Sequence, residues 1–230
     1  MRPEPDLSTA ATLIGEPTRA AILSALLGGQ SMPATELAYV AHITPQTASA
    51  HLNKLVDGGL LAVTSSGRHR YYRLKNEEVA YALEALARIS PPPPLRNRQQ
   101  SAEFETLRHG RTCYDHLAGR LGVALTQALV ERGLLALADE CYELSEVGRD
   151  WLAALQIDEV QLRRGRRRFA GACIDWSERQ PHVAGALGAA ITTRFFENRW
   201  LIRVPDSRAV RLSNAGHLAM HDLLGLRMDG

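Results

Sequence analysis

Four consecutive prolines, Pro91–Pro94, constrain this chain more than any other feature. Each removes a backbone donor and fixes φ, so the run excludes helix interior and favours a stiff polyproline II spacer. It separates two stretches that are each long enough to bury a core. The sequence predicts a domain over 1–90, a proline-rich linker over 91–100 and a second domain over 101–230. Apolar residues make up 45% of the chain, which supplies both cores and excludes global disorder. No apolar run approaches the ~20 residues of a membrane span. The opening MRPEPDLSTA carries acids and prolines where a secretory signal has a basic end and an apolar centre. A soluble, cytoplasmic protein with no membrane partner is expected.

The first part reads as helices followed by a hairpin. LSTAATLIGEPTRAAILSALLGG spaces its apolar residues helically, with Pro17 near the first turn of a second helix and Gly28-Gly29 ending it. Pro33 and Thr35 precede ELAYVA, a short helix. Thr44 then offers a hydroxyl N-cap and Pro45 a first helical position for QTASAHLNKLVD, which stops at Gly58-Gly59. LLAVTSS and RHRYYRL are strand-like runs around Gly67, and Glu77 to Ile89 returns to helical spacing.

A net charge of +2 carries no nucleic-acid signal by itself, so distribution decides. Between Lys54 and Lys75, the basic residues Lys54, Arg68, Arg70, Arg73 and Lys75 face a single acid, Asp57. A short helix, a turn, a capped helix and a basic hairpin compose a helix-turn-helix with a wing. Leu52, Leu55 and Val56 turn to the core. The candidate contacts to double-stranded DNA are Thr44, Gln46, Thr47, Ser49, His51 and Lys54 on the second helix, with Arg68, His69 and Arg70 at the hairpin tip. The same elements also serve as scaffolds or dimer contacts. The coincidence of charge, glycine tip and polar helix start favours DNA.

LIGEPTRAAILSALL and ATELAYVAHITPQTASAHLNKLVDGGLLAVTSSGRHRYYRL together resemble the ArsR/SmtB family of winged-helix transcriptional repressors over about residues 8–75. The resemblance implies a homodimer that holds two recognition helices to successive major grooves of a pseudo-palindromic operator. It also implies repression relieved by an effector. Two departures stand out. ELAYVAH lacks the Cys-x-Cys pair of soft-metal sensors, and NEEVAYALEALARI lacks the histidines of the other familiar metal site. Neither site carries over, and the second half lies outside the resemblance.

Residues 101–230 match themselves at a period of about 60–70 residues, giving units over about 101–160 and 161–230. Cys113 matches Cys173, Asp115 matches Asp175, and His116 matches His182 across an insertion. Ser145 and Ser213 match as N-caps, and Gly148 matches Gly216. Each copy reads as a helix, two short strands and another helix. The expected fold is therefore mainly α with short β-hairpins (α+β): a winged helix-turn-helix followed by two similar helix–hairpin–helix units about a pseudo-twofold axis.

That axis would gather Cys113, Asp115, His116, Cys173, Asp175 and His182, a thiolate, imidazole and carboxylate set suited to zinc or another thiophilic metal. Cys113 and His116, three apart, share a face if the segment is helical. Two other readings stay open. Buried cysteines are often plain core residues, and a Cys113–Cys173 pair is a thiol sensor if its Cα atoms lie within ~7 Å. Cys141 lacks a matching cysteine. The run RRGRRR at 163–168 reads equally as a phosphate contact or a solvated face. Trp151, Trp176, Trp200, Phe195 and Phe196 read as core ahead of a ligand stack, with a pocket between the repeats left open.

The expectation is a sequence-specific DNA-binding regulator, a homodimeric repressor whose second domain senses an effector: a metal, a thiol-reactive species or a small molecule. The alternative gives that domain a purely structural or partner-binding role. An enzyme with Cys113 or Cys173 as nucleophile and His116 or His182 as base ranks behind both. No catalytic residue is assigned, because no phosphate loop, nucleophile elbow or zinc-hydrolase signature occurs in the sequence.

Overall fold

The computed structural model describes residues 4–228. By packing, the chain divides into two compact units, 1–83 and 84–230. The division falls inside the helix Glu77–Ile89, ahead of the prolines expected to mark it. Glu84 in that helix is buried and accepts a hydrogen bond from Arg208 at 2.7 Å, which places it with the second unit.

The first unit runs α1 (Leu7–Ile14), α2 (Pro17–Leu26), β1 (Met32–Pro33), α3 (Ala34–Val40), α4 (Pro45–Asp57), β2 (Leu61–Ser66), β3 (His69–Leu74) and the start of α5 (Glu77–Ile89). The Glu16 carboxylate caps α2 by accepting from the Thr18 and Arg19 amides. Buried Arg19 reaches back to the Leu13 and Thr12 carbonyls, both at 2.7 Å, satisfying two of the carbonyls orphaned at the end of α1. Ile22, Leu23 and Leu26 of α2, Leu37 of α3, and Ala48, Leu52 and Leu55 of α4 are fully buried against one another. The strands form an antiparallel sheet in the order β1-β3-β2. Gly67, at φ +58, takes the left-handed position that a two-residue hairpin turn requires.

The second unit continues with α6 (Arg98–His109) and then two segments of like element order. The first is β4 (Arg111–Cys113), β5 (His116–Ala118), α7 (Gly119–Glu131), β6 (Leu135–Ala138), β7 (Cys141–Leu144) and α8 (Glu146–Ala154). After α9 (Glu159–Arg164), the second is β8 (Ala172–Ile174), β9 (Pro181–Val183), α10 (Gly185–Glu197), β10 (Leu201–Arg203), β11 (Val210–Leu212) and α11 (Asn214–Leu224). Each segment thus begins with a hairpin where the sequence spacing predicts a helix.

The two segments clasp each other. α7 packs on β9, and α10 packs on β5. The Tyr142 amide donates to the Ala170 carbonyl and the Val210 amide to the Gly110 carbonyl, both at 2.8 Å, so each second hairpin is laced to the other segment's first. Leu121, Leu125, Leu129, Leu187, Ile191 and Phe195 fill the shared core, and Trp151, Phe196 and Trp200 pack against it.

Ser145 and Ser213 cap α8 and α11 by accepting from the Gly148 and Gly216 amides at 2.9 and 3.0 Å. Ser145→Ala and Ser213→Ala should each lower stability by about 1 kcal/mol. Denaturant midpoints at unchanged slope check this, and a null result at both sites would remove the capping account.

Candidate functional site

Helix α4 is laid down by its own ends. The Thr44 hydroxyl accepts from the Thr47 amide at 3.2 Å, Pro45 occupies the first turn, and Gly58 closes the last. With Ala48, Leu52 and Leu55 locked in the core, Thr44, Gln46, Thr47, Ser49, Ala50, Asn53 and Lys54 are left exposed. This is the amphipathic division the sequence predicted. At the tip of the β2–β3 hairpin, Arg68, His69 and Arg70 are exposed, and the Arg70 guanidinium lies 5.5 Å from the Tyr72 ring.

One candidate contact is placed differently. His51 turns from the exposed face towards α2, with Nδ1 3.3 Å from Glu16 Oε2 and its side chain only 19% exposed. Glu16 reaches it as a by-product of capping α2, an interaction no local pattern announces. His51 is therefore a support of α4 and not part of its outer face.

In the second unit the antiparallel pairing sets Cys113 opposite His116 in β4–β5 and Cys173 opposite His182 in β8–β9. Cross-strand partners project to one face of a hairpin, so each hairpin offers a sulfur and an imidazole together. The two hairpins differ in their turns. Tyr114 and Asp115 suffice in the first, with Tyr114 at φ +60, whereas the second closes through Asp175–Gln180. That longer turn is the insertion seen in sequence. The expected helical placement of Cys113 and His116 is thus replaced by a hairpin, which brings them together equally well.

The hairpins converge. The Cys113 and Cys173 sulfurs are 4.0 Å apart, and the His116 and His182 rings stack with centroids 5.0 Å apart. One ligand-capable atom from each of the four residues lies within 4.8 Å of the others, and all four side chains are buried. Asp115 and Asp175, expected among the ligands, stand behind the imidazoles. Asp115 Oδ1 is 3.6 Å from His116 Nδ1, and Asp175 Oδ2 is 4.0 Å from His182 Nδ1.

Each aspartate is clamped by an arginine of the other segment. Arg167 forks onto Asp115, with Nη2 donating to Oδ1 at 2.9 Å. Buried Arg111 donates to Asp175 Oδ2 at 2.9 Å, while its guanidinium carbon lies 4.3 Å from the centre of the Trp176 ring. The carboxylate also accepts from the Gly119 amide at 2.7 Å and from the Ser177 amide and hydroxyl at 2.8 Å. Sequence reading missed both clamps. Arg167 sits inside RRGRRR, a run the fold disperses: Arg163 pairs with Glu159 and covers Phe169, and Arg167 turns inward.

Electrostatics follow from burial. Burial opposes charge on Asp175, yet the Arg111 guanidinium and the Gly119 amide override it and hold the carboxyl well below the usual carboxylate range. Contact with Cys173 and burial push the Cys113 thiol well above its ordinary value. Burial and the neighbouring His116 keep His182 well below its own, favouring the neutral imidazole.

A helix-turn-helix domain model matches residues 14–64, from the end of α1 into β2. Over 224 residues the chain is 43% identical to YdfF of Bacillus subtilis (strain 168), described as an uncharacterized HTH-type transcriptional regulator, spanning 97% of this chain and 99% of the relative. The chain belongs to the HTH-type transcriptional regulators. This regulator shares 26% identity over 37% of its length with the homodimeric winged helix-turn-helix domain of Mb0332 from Mycobacterium bovis, a possible ArsR-family regulator; the match covers 86% of that chain with a TM-score of 0.32. It shares 32% identity over 40% of its length with the cadmium sensor CMTR of Mycobacterium tuberculosis, covering all of that chain with a TM-score of 0.32. No helix among the described residues is long and apolar enough to cross a membrane.

Proposed function

We propose that this cytoplasmic regulator binds an operator sequence-specifically as a homodimer and represses transcription there, with its second unit responding to an effector. The observation that carries the reading is the division of α4. Its core face is fixed by Ala48, Leu52 and Leu55, and its exposed face presents Gln46, Thr47, Ser49, Asn53 and Lys54 beside an arginine-tipped wing. Gln46 is the direct-readout candidate, because an amide side chain can bond an adenine edge bidentately. Lys54, Arg68 and Arg70 are phosphate contacts. Leu7 of α1, 78% exposed, leaves apolar surface on the first unit for a second copy to cover.

We read the halves of the second unit as two copies of one ancestral unit. Besides element order, Gly119 and Gly185 share φ +76, and Thr126 and Thr192 each bond back to the carbonyl four residues earlier. A nucleophilic role for Cys113 fares poorly, since its side chain is buried away from any approaching substrate.

Fluorescence polarisation on the DNA upstream of the regulator's own gene tests the reading. Lys54→Ala and Arg70→Ala should weaken binding on all sequences and each flatten the salt dependence by about one unit of slope. Gln46→Ala should cost about 1–3 kcal/mol on the preferred site and relax its sequence preference. Unchanged affinity in all three variants would overturn the assigned face. Equal operator affinity in every ligation and oxidation state of the cysteines would remove the effector role and leave the second unit structural.

A further inference from the structure

We propose that Cys113, His116, Cys173 and His182 form a closed tetrahedral site for one thiophilic cation of the zinc type per chain. The inference deepens the effector reading above, but rests on it only for its consequence at DNA, not for cation binding itself.

The donor set is the first support. Two sulfurs and two imidazoles suit zinc and softer ions and disfavour magnesium or calcium, which take oxygen. Distances agree. With Zn–S near 2.3 Å and Zn–N near 2.0–2.1 Å, tetrahedral geometry sets ligand atoms about 3.3–3.8 Å apart. The two sulfurs stand at 4.0 Å, and all four ligand atoms lie within 4.8 Å, so closure needs shifts of about 1 Å or less.

The second support is what the imidazoles lack. Nδ1 and Nε2 of both His116 and His182 are buried with no hydrogen-bond partner among the described residues. Buried polar groups are rarely left so, and an orphaned group at a native site asks for an unseen ligand. A Cys113–Cys173 disulfide would use the sulfurs and leave both imidazoles without a ligand on the side away from Asp115 and Asp175. A shared cation answers both imidazoles and both sulfurs at once.

The third support lies behind the ligands. A metal-bound imidazole is normally oriented by a carboxylate that is itself held in place. Asp115 and Asp175 occupy those positions, and Arg167 and Arg111 hold them from the opposite segment. Four protein donors leave no open position for water, so the site holds an ion and does not activate a nucleophile. Each segment supplies half of the donors, so the ion would pin the two segments together.

The test uses the full-length protein, reduced and stripped by chelator, then titrated with Co(II) and afterwards Zn(II). One equivalent of cobalt should give strong visible bands of tetrahedral coordination and a near-ultraviolet sulfur-to-cobalt band, both abolished by one equivalent of zinc. Cys141→Ser should leave the titration unchanged, and Asp115→Asn should weaken affinity by about 10–100-fold. Cys113→Ser and Cys173→Ser should each remove part of the sulfur band. Should either variant fail to fold, the wild-type spectrum still decides. Weak octahedral bands, or no sulfur-to-cobalt band in the reduced wild type, would overturn the site and leave the DNA-binding reading standing. A tetrahedral spectrum with equal operator affinity for stripped and loaded protein would support the site and defeat the effector role instead.

Discussion

Arg111→Met is expected to destabilise the second unit by about 3–5 kcal/mol, because it leaves the buried Asp175 carboxylate without its counter-charge. Both side chains are fully buried, and the pair spans the two segments. A loss of that size should lower the thermal midpoint by roughly 6–20 °C for a chain of this length. Asp175→Leu should be comparably damaging, since it also strips acceptors from the Gly119, Ser177 and Glu178 amides. The double variant should cost less than the two single losses added, by about 0.5–3 kcal/mol, because neither charge is then stranded. Additive losses would show that the two groups do not act as a pair.

The pair also predicts a pH dependence. The folded carboxyl is held below its unfolded value, so its stabilisation is complete above the unfolded pKa of about 3.9 and drains as pH falls through the folded one. Asp175→Asn has no such proton to bind. Its stability should fall less steeply than wild type between about pH 4 and pH 2. Parallel acid limbs for the two proteins would contradict the assignment.

The first unit was legible because its punctuation is local. Thr44-Pro45, Gly58 and Gly67 act within a few residues of where they stand, and Leu52 and Leu55 repeat at helical spacing. The convergence of the cysteines and histidines was legible for a different reason. If the matched segments are two copies about a twofold axis, as proposed, then any matched pair lying near that axis meets its counterpart, whatever elements carry it. Those elements were misread because Cys-x-x-His fits two adjacent positions on a helix face and the ends of a two-residue turn equally. The decisive signal, a left-handed Tyr114, has no glycine or asparagine to betray it. Three-residue strands are also too short for alternation to show. Arg111 and Arg167 were invisible as clamps, since their partners lie 64 and 52 residues away. His51 has the same explanation, for Glu16 comes from another helix.

Gly185→Ala should be among the most damaging single-methyl additions in the chain, and Gly67→Ala a mild one, although both glycines have positive φ. The left-handed backbone alone costs a non-glycine residue about 1–2 kcal/mol, and that term is common to both. At Gly67 a Cβ meets nothing within 4 Å, so the cost ends there. At Gly185 it would sit 2.5 Å from the Arg168 carbonyl oxygen and 3.0 Å from that of Phe169. Those same carbonyls accept from the Ala186 and Leu187 amides at 3.0 and 2.8 Å, and Ala184 gives α10 no side-chain cap. Pushing them aside therefore also loosens two bonds at the start of α10, each worth roughly 0.5–1.5 kcal/mol. Together these terms put Gly185→Ala at about 2–5 kcal/mol. The strain would fall three residues from His182, just beyond the strand that carries it. A Gly185→Ala protein that still folds should therefore take up cobalt more weakly than wild type, while Gly67→Ala keeps full cobalt affinity. Thermal unfolding of the two variants side by side is the check. Equal midpoints would mean that the Arg168–Phe169 turn yields freely, and that the hairpin bearing His182 is not held by the start of α10.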